Sequence, residues 1–322
     1  DDFVNESIRG LVISYPEIYK FSSDTNNVLK RTNKASNKVG LVSGGGSGHL
    51  PLFTGYIGEG LLDSCAIGNV FASPSVDEIS TAIKEANSGK GVLCIYGNYG
   101  GDVMNFDMAS EMLQMEDIKV ESIVVADDVA SASLQEKEKR RGVTGMLYVF
   151  KITGAIAETG ADFDEVKRIA IKTNENIRTM GIALTPTILP QAGKPTFEIG
   201  NDEMEIGMGI HGEPGIRRGK LKTANEITDE LSEKLLNDIN LSNGDRVSVL
   251  INSLGATPHE ELFIVSNKFN NILKDKGINN IKSYVGRYAT SMEMAGMSIS
   301  ILKLDDELEK LLLVNANCPF WY

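Results

Sequence analysis

The stretch Lys38-Val39-Gly40-Leu41-Val42-Ser43-Gly44-Gly45-Gly46-Ser47-Gly48-His49 joins a short apolar run to a glycine-rich polar loop. Residues 38–42 predict a β-strand that runs directly into this loop. Glycines after a strand expose backbone N–H groups, which can surround an anion or an oxygen-rich ligand. The loop matches neither the mononucleotide P-loop nor the dinucleotide fingerprint. We therefore expect either a site for a small polar ligand or a tight turn.

Strand and helix patterns alternate in the first half of the chain. Further strands are predicted at residues 64–71, 91–96 and 119–125, and helices at residues 75–87 and 103–115. Ser75 begins the first of these helices with a capping box, because Glu78 follows three residues later. This order predicts an α/β fold with a mainly parallel sheet.

The second half of the chain predicts a further, smaller α/β unit. Helical patterns at residues 145–159 and 162–180 precede a segment interrupted by Pro186, Pro190 and Pro195. Beyond it the pattern predicts strands and helices in turn: strands at 204–210, 246–251, 281–288 and 297–302, and helices at 225–236 and 259–276. We expect two α/β domains, residues 1–185 and 186–322, with mainly parallel or mixed sheets flanked by helices.

The composition narrows the possible partners and compartments. A net charge of −12 argues against direct binding to nucleic acid or to an anionic membrane surface. No apolar run approaches the roughly 20 residues that span a bilayer. The three cysteines, Cys65, Cys94 and Cys318, have neither metal-binding nor disulfide spacing. We expect a cytoplasmic protein with no metal and no cofactor.

Two of the three histidines lie in glycine-framed loops. His49 ends the first loop, and His211 is framed by Gly209, Gly212 and Gly215. Histidine commonly acts as a nucleophile or base near neutral pH, although a loop histidine can also be purely structural. His259, at the start of a helix, is expected at the surface.

Asp102 ends the polar loop that follows the strand at residues 91–96. It is expected to be either a helix N-cap or a general base that accepts a proton from a ligand hydroxyl. The loops at residues 44–49 and 97–102 both follow strands, so they could face one pocket. Arg140 and Arg141 are expected in a solvated turn, or in contact with an anion.

Several motifs, in the same order along nearly the whole chain, resemble the dihydroxyacetone-binding K subunit of bacterial dihydroxyacetone kinase (DhaK). They are Ser43-Gly44-Gly45-Gly46-Ser47-Gly48-His49, Phe71-Ala72-Ser73-Pro74, Asn98-Tyr99-Gly100-Gly101-Asp102, Asp127-Asp128-Val129-Ala130, Arg140-Arg141-Gly142-Val143, Gly209-Ile210-His211-Gly212-Glu213-Pro214-Gly215 and Leu254-Gly255-Ala256-Thr257-Pro258.

The resemblance implies a homodimer of two-domain α/β chains that binds dihydroxyacetone. It implies that His211 attacks the ligand carbonyl to form a covalent hemiaminal, and that Asp102 and His49 contact the ligand hydroxyls. Gly46, Gly48 and Ser73 are implied as further binding residues. In the kinase, the phosphoryl donor belongs to a separate subunit, which agrees with the missing P-loop.

Two positions depart from the kinase pattern. Gly97 stands where the kinase has a lysine, and Leu50 follows His49 where the kinase has glutamate. Loss of a cation near the transferred phosphoryl group should impair transfer but not capture. These departures resemble the co-activator branch of the family, DhaQ, which senses dihydroxyacetone and activates a TetR-family transcription factor. The alternative is an active K subunit that works with the ATP-binding L subunit.

Overall fold

The computed structural model describes residues 2–34, 36–190 and 192–321. Its β-strands are β1 (Tyr19–Phe21), β2 (Val28–Arg31), β3 (Gly40–Gly46), β4 (Ser64–Gly68), β5 (Val92–Gly97), β6 (Val120–Val125), β7 (Ile177–Ala183), β8 (Ile188–Leu189), β9 (Lys194–Pro195), β10 (Glu203–Ile206), β11 (Arg217–Lys220), β12 (Arg246–Ser253), β13 (Asn279–Gly286) and β14 (Gly296–Leu304). Its α-helices are α1 (Phe3–Ser14), α2 (Val76–Ala86), α3 (Gly100–Gln114), α4 (Met146–Glu158), α5 (Phe163–Glu175), α6 (Ala224–Asp238), α7 (His259–Asp275) and α8 (Asp306–Leu312).

The chain divides into two compact units whose segments interleave. The first unit comprises Asp1–Val125, Met146–Thr173 and Leu308–Tyr322, and the second comprises Ala126–Gly145 and Asn174–Glu307. The predicted contiguous division at residues 185 and 186 differs from this arrangement. The difference arises because β7, which precedes that boundary, pairs along its whole length with β14 of the second unit.

The sheet of the first unit has the strand order β1-β2-β4-β3-β5-β6. The four strands β4, β3, β5 and β6 are parallel, whereas β1 and β2 form an antiparallel extension. The predicted capping box of α2 is confirmed, with Ser75 and Glu78 bonded reciprocally. The predicted α/β class with a parallel sheet is therefore confirmed for this unit.

The sheet of the second unit has the order β11-β10-β7-β14-β12-β13 and is mixed. Only β12 and β13 run parallel, and the other neighbours are antiparallel. The prediction of one helix over residues 162–180 is wrong beyond Glu175, where α5 ends and β7 begins. Residues of β7 pack against the apolar core of this unit through Met180 and Ile182. The apolar residues of β7, at positions 177, 180, 182 and 183, do not alternate strictly, so their spacing does not separate a strand from the end of a helix.

A buried carboxylate ties the segment before α4 to the second sheet. Asp127 accepts hydrogen bonds from the backbone N–H groups of Val143 (2.7 Å) and Gly145 (2.8 Å). The Asp127 carbonyl also accepts a bond from the Thr179 N–H of β7, at 2.8 Å. Because Asp127 is fully buried, no solvent can replace it as the acceptor.

We expect the substitution Asp127→Ala to lower the free energy of unfolding by about 2–4 kcal/mol, because it leaves two buried donors without an acceptor. Urea denaturation followed by circular dichroism measures this change. The matched control is Asp229→Ala, which removes a 55% exposed carboxylate of the same unit and should change the stability by less than about 0.5 kcal/mol. Equal effects of the two substitutions would contradict the assigned role of Asp127.

Candidate functional site

In the first sheet, the neighbouring strands β3 and β5 move apart toward their carboxyl ends, at the point where the strand order reverses. The pairing of β3 with β5 covers Gly40–Val42 opposite Val92–Cys94. On the outer sides, β3 continues to pair with β4 as far as Gly46, and β5 with β6 as far as Gly97. The two central strands therefore separate toward their carboxyl ends. Such a switch point is the usual ligand crevice of a parallel α/β sheet.

The glycine run belongs to β3 rather than to a loop, which corrects the prediction for Gly44, Gly45 and Gly46. A Cβ on Gly45 would lie 2.2 Å from the Phe53 ring, and one on Gly46 would lie 2.5 Å from the Val70 carbonyl oxygen. These glycines allow neighbouring groups to pack directly on the strand backbone. Close packing, rather than a wide anion cradle, explains their presence here.

His49 is fully buried at the end of the 3₁₀ turn Ser47–His49 that follows β3. Its imidazole stacks on Phe71 with ring centroids 4.9 Å apart and meets the edge of Phe53 at 6.2 Å. The His49 carbonyl accepts a hydrogen bond from the Leu52 N–H at 2.9 Å. Two aromatic rings and a turn thus hold the imidazole in one orientation.

Two buried serine hydroxyls lie near His49, one on β3 and one in the turn that follows it. The Oγ atoms of Ser43 and Ser47 are buried and form no hydrogen bond with the described residues. Buried hydroxyls are normally satisfied, and each exception calls for an explanation. Hydroxyl groups of a small polar ligand could satisfy them.

Asp102 is the third residue of α3, and Tyr99 occupies the N-cap position, so the interpretation of Asp102 as an N-cap is wrong. The carboxylate is buried in the first helical turn, where the helix dipole favours negative charge. The Oγ of Ser73 would lie 2.7 Å from a Cβ on Gly101, so it reaches the same helical turn. The Asn105 amide donates to the Pro74 carbonyl at 2.8 Å and links the two segments.

Within the first unit, the structure therefore gathers several of the predicted site residues at the carboxyl edge of the sheet. They are Gly46, Gly48, His49, Ser73 and Asp102, carried by the last residue of β3 and by the segments that follow β3, β4 and β5. The arrangement presents hydroxyl, imidazole and carboxylate groups, which suits a neutral ligand rich in hydroxyls.

His211 lies in the second unit, in the loop between β10 and β11. Its Nδ1 is 2.8 Å from the Glu213 Oε1, and its backbone N–H donates to Oε2 at 3.0 Å. A hydrogen bond from Nδ1–H to a carboxylate selects the tautomer in which Nε2 carries the lone pair. An imidazole oriented by a hydrogen-bonded carboxylate suits covalent catalysis, in which a neighbouring group positions the nucleophile.

The His211 loop is tightly folded. Gly212 has a φ of +88°, a conformation that favours glycine. The Gly209 N–H donates to the Glu213 carbonyl at 3.1 Å, and the Gly212 N–H donates to the Gly209 carbonyl at 3.0 Å. A Cβ on Gly209 would lie 2.1 Å from the Glu213 Oε2 and 2.5 Å from an Arg141 nitrogen. Glycine at this position therefore allows the carboxylate to reach His211.

The Arg141 side chain connects this loop to the neighbouring backbone and to an acidic side chain. Its guanidinium donates to the Gly207 carbonyl at 2.8 Å and forms an ion pair with Asp128 at 2.7 Å. Arg140 is almost fully buried and binds Asp238 through two nitrogens, at 2.9 and 2.6 Å. The prediction that both arginines lie in a solvated turn is wrong. The nearby Asp128 was a signal for Arg141, whereas the partner of Arg140, Asp238, lies far along the chain.

Opposing effects set the pKa of Glu213. Burial on its own would raise it, but the hydrogen bond and charge interaction with His211 outweigh burial and lower the pKa to about 2. The carboxylate therefore remains ionised across the neutral range and can keep accepting the Nδ1 proton.

Among the described residues, no group of three or more His, Cys, Asp or Glu side chains could hold a metal ion. Across the same residues, no helix has both the length and the apolar character needed to cross a membrane. His259 is exposed and contacts Phe263 one turn later in α7, as expected for a surface residue.

The chain matches the Dak1 domain over residues 9–320. It is 46% identical over 307 residues to the dihydroxyacetone-binding subunit DhaK of the PTS-dependent dihydroxyacetone kinase 1 of Listeria innocua, covering 95% of this chain and 93% of the relative. The solved structure of the dihydroxyacetone kinase operon co-activator Dha-DhaQ matches with a TM-score of 0.90 and 33% identity, covering 97% and 96% of the two chains.

The dihydroxyacetone kinase of C. freundii also matches, with a TM-score of 0.90 and 32% identity. That alignment covers 99% of this chain and 58% of the longer kinase. The fold is thus shared by catalytic and regulatory proteins. Fold alone does not decide between the two functions.

We expect Glu213→Gln to release the tautomer preference of His211, because a neutral amide binds the Nδ1 proton less strongly than a carboxylate does. Nitrogen-15 NMR of the imidazole should show the Nδ1–H form in the unmodified protein and a mixture in the variant. Glu198→Gln, at an exposed position, is the control and should leave the spectrum unchanged.

The same variant carries a pH signature. Since the folded pKa of Glu213 is lowered from 4.5 to about 2, its contribution to stability is present above pH 4.5 and is lost as the pH falls toward 2. Glu213→Gln should therefore flatten the dependence of unfolding free energy on pH in that window. An unchanged acid slope would contradict the assigned pairing.

Proposed function

The chain belongs to the Dak1 domain family and has the fold of the dihydroxyacetone-binding subunit; from this premise we propose that it captures dihydroxyacetone covalently on His211. We propose further that it senses this ligand as a co-activator of a TetR-family transcription factor. The observation that carries the capture is the His211–Glu213 pair, at 2.8 Å. The relatives supply the ligand class, since those named above are a dihydroxyacetone-binding subunit, a dihydroxyacetone kinase and a co-activator of a dihydroxyacetone kinase operon.

The capture step follows from the tautomer of His211. The Nε2 lone pair attacks the carbonyl carbon, the new C–N bond forms, and the π electrons of the C=O bond move to oxygen. The resulting alkoxide takes up one proton, and Nδ1 gives up the one that it carries, so the hemiaminal is neutral. Glu213, ionised because its pKa is about 2, stabilises the positive charge that develops on the imidazole.

Covalent capture suits so small a ligand. Dihydroxyacetone has about six heavy atoms, and a ceiling near −1.5 kcal/mol per atom limits non-covalent binding to about −9 kcal/mol. A reversible bond adds affinity beyond contacts. It also rejects glycerol, which has no carbonyl to attack, so selectivity comes from a reaction that the competitor cannot undergo.

The first-unit residues are proposed to bind the ligand hydroxyls. Asp102 and His49 would accept and donate hydrogen bonds to them, with Ser73 as a further contact. Gly46 and Gly48 would contribute backbone groups. Two observations support this proposal. Asp102 and His49 are buried, and the buried hydroxyls of Ser43 and Ser47 form no hydrogen bond with the described residues.

The co-activator role rests on two substitutions at the site. Gly97 ends β5, where the kinase pattern has a lysine, and Leu50 follows His49 in place of glutamate. Phosphoryl transfer depends on positioned positive charge, whereas attack by His211 does not. We propose a homodimer in the cytoplasm, in which ligand capture alters contact with the transcription factor.

The second candidate is an active K subunit that presents dihydroxyacetone to the L subunit of the kinase. The observation in its favour is the 46% identity to a kinase subunit of Listeria innocua, compared with 33% to the co-activator structure. Sequence identity over the whole chain reflects common descent. The residue at the position of the kinase lysine bears directly on phosphoryl transfer. An assay of transfer separates the two.

We expect the carbonyl-13C resonance of labelled dihydroxyacetone to move into the range of saturated carbon when the protein binds it, because the hemiaminal carbon is tetrahedral. His211→Gln should abolish the new resonance, whereas His259→Gln, at an exposed histidine, should leave it in place. A resonance that stays in the carbonyl range with the unmodified protein, or one that survives His211→Gln, would refute covalent capture at this residue.

We expect little dihydroxyacetone phosphate when the protein is mixed with dihydroxyacetone and an L subunit supplied with its phosphoryl donor. Gly97→Lys should increase the yield, because it restores a cation near the reacting hydroxyl. The DhaK subunit of Listeria innocua serves as the positive control. Turnover by the unmodified protein at the rate of that control would overturn the co-activator proposal in favour of the K-subunit alternative.

A further inference from the structure

Helix α3 exposes four methionines on one face. Met104, Met108, Met112 and Met115, the last at the helix C-cap, are between 44 and 80% exposed. We call these four side chains the methionine face. A cluster of large apolar side chains in water marks an interaction site more often than chance exposure does.

Helical geometry places the four side chains together. At about 100° per residue, positions 104, 108, 112 and 115 fall within an arc of about 80°. The buried residues of the helix, Phe106, Ala109 and Leu113, lie on the opposite side. The methionine face is therefore a continuous strip along a helix about 22 Å long, rather than four separate contacts.

Acidic groups border the methionine face. Asp107 and Glu111 are exposed and fall at its edge by the same angular measure, and α3 contains no lysine or arginine. Beyond the helix, Glu116 is already paired with Lys84, at 2.8 Å. The chain as a whole carries a net charge of −12. The border is therefore complementary to a basic partner.

We propose that the methionine face docks an amphipathic helix of another protein, with an apolar stripe over the methionines and basic residues over Asp107 and Glu111. Methionine is flexible and polarisable, which suits the packing of a second helix along the strip. An antiparallel second copy of α3 fits poorly, since its acidic edge would meet the same edge of the first copy without an intervening cation. The partner's chemistry is thus a basic amphipathic helix.

The same helix connects this surface to the ligand. Asp102 lies in the first turn of α3, two residues before Met104, and packing of Phe106 and Ala109 into the core makes the helix one rigid element. This step rests on the proposed function of Asp102 as a ligand contact. Dihydroxyacetone should then change the affinity of the docked helix, and by linkage the helix should change ligand affinity by the same factor.

The test uses a designed 18-residue peptide with leucines on one helical face and lysines on its flanks. The protein carries 13C-labelled methionine methyl groups, and the peptide is added without dihydroxyacetone. The expected result is saturable shifts of the four methionines of the face, among the 11 in the chain. A matching peptide with glutamate in place of lysine should not bind.

Variants separate the apolar from the charged contribution. Met108→Gln with Met112→Gln should weaken binding by at least about tenfold, because two apolar contacts are lost. Asp107→Asn with Glu111→Gln should weaken it and reduce its salt dependence. Phe263→Gln, which changes an exposed aromatic residue of α7, is the control and should have no effect.

Three results would overturn the docking proposal. They are the absence of binding, shifts confined to other methionines, and self-association measured by sedimentation equilibrium that the double methionine variant abolishes, since the last assigns the face to a second copy. Repetition with dihydroxyacetone tests the link to Asp102, and an unchanged peptide affinity contradicts that link alone. The 13C experiment on His211 is independent of either outcome, so failure of capture and failure of docking are distinguishable.

Discussion

The end of strand β3 depends on the absence of side chains. Phe53 and the Val70 carbonyl occupy the space that a Cβ on Gly45 or Gly46 would need, at 2.2 and 2.5 Å. This contact lets Phe53 and Phe71 enclose His49, and it turns the chain into the 3₁₀ helix that carries it. Close packing at the glycines thus contributes to the fixed position of the imidazole.

In the second unit, charged groups rather than close packing hold the His211 loop in place. Asp128 binds Arg141, Arg141 reaches the Gly207 carbonyl, and Glu213 binds the ring and backbone of His211. Burial raises the pKa of Asp128 to about 6 against the opposing effect of Arg141. Paired charged groups hold this glycine-rich loop in place. A nucleophile needs such a rigid support.

Local signals in the sequence predicted the elements whose caps and periods are unambiguous. The capping box at Ser75 is an example, because its two hydrogen bonds depend only on residues three apart. The strand β7 was missed because its burial comes from pairing with β14, more than a hundred residues later. The burial of Arg140 was missed for the same reason, since its partner Asp238 lies far along the chain. The glycine motif drew attention to the end of β3 but did not indicate its packing role, which only the contacts with Phe53 and Val70 reveal.

Capture and transfer make different demands on this architecture. Attack on a carbonyl needs one oriented imidazole and a group that stabilises its charge, and the His211 loop contains both within three residues. Transfer needs further positive charge at the reacting hydroxyl, and Gly97 cannot supply it. Loss of phosphoryl transfer through this one position would leave the glycine packing around His49 and the His211–Glu213 pair unchanged. On this proposal, a binding protein can arise from a kinase subunit without any change at these residues, and α3, which carries Asp102 in its first turn and the methionine face along its length, links the proposed ligand contact to the proposed docking surface.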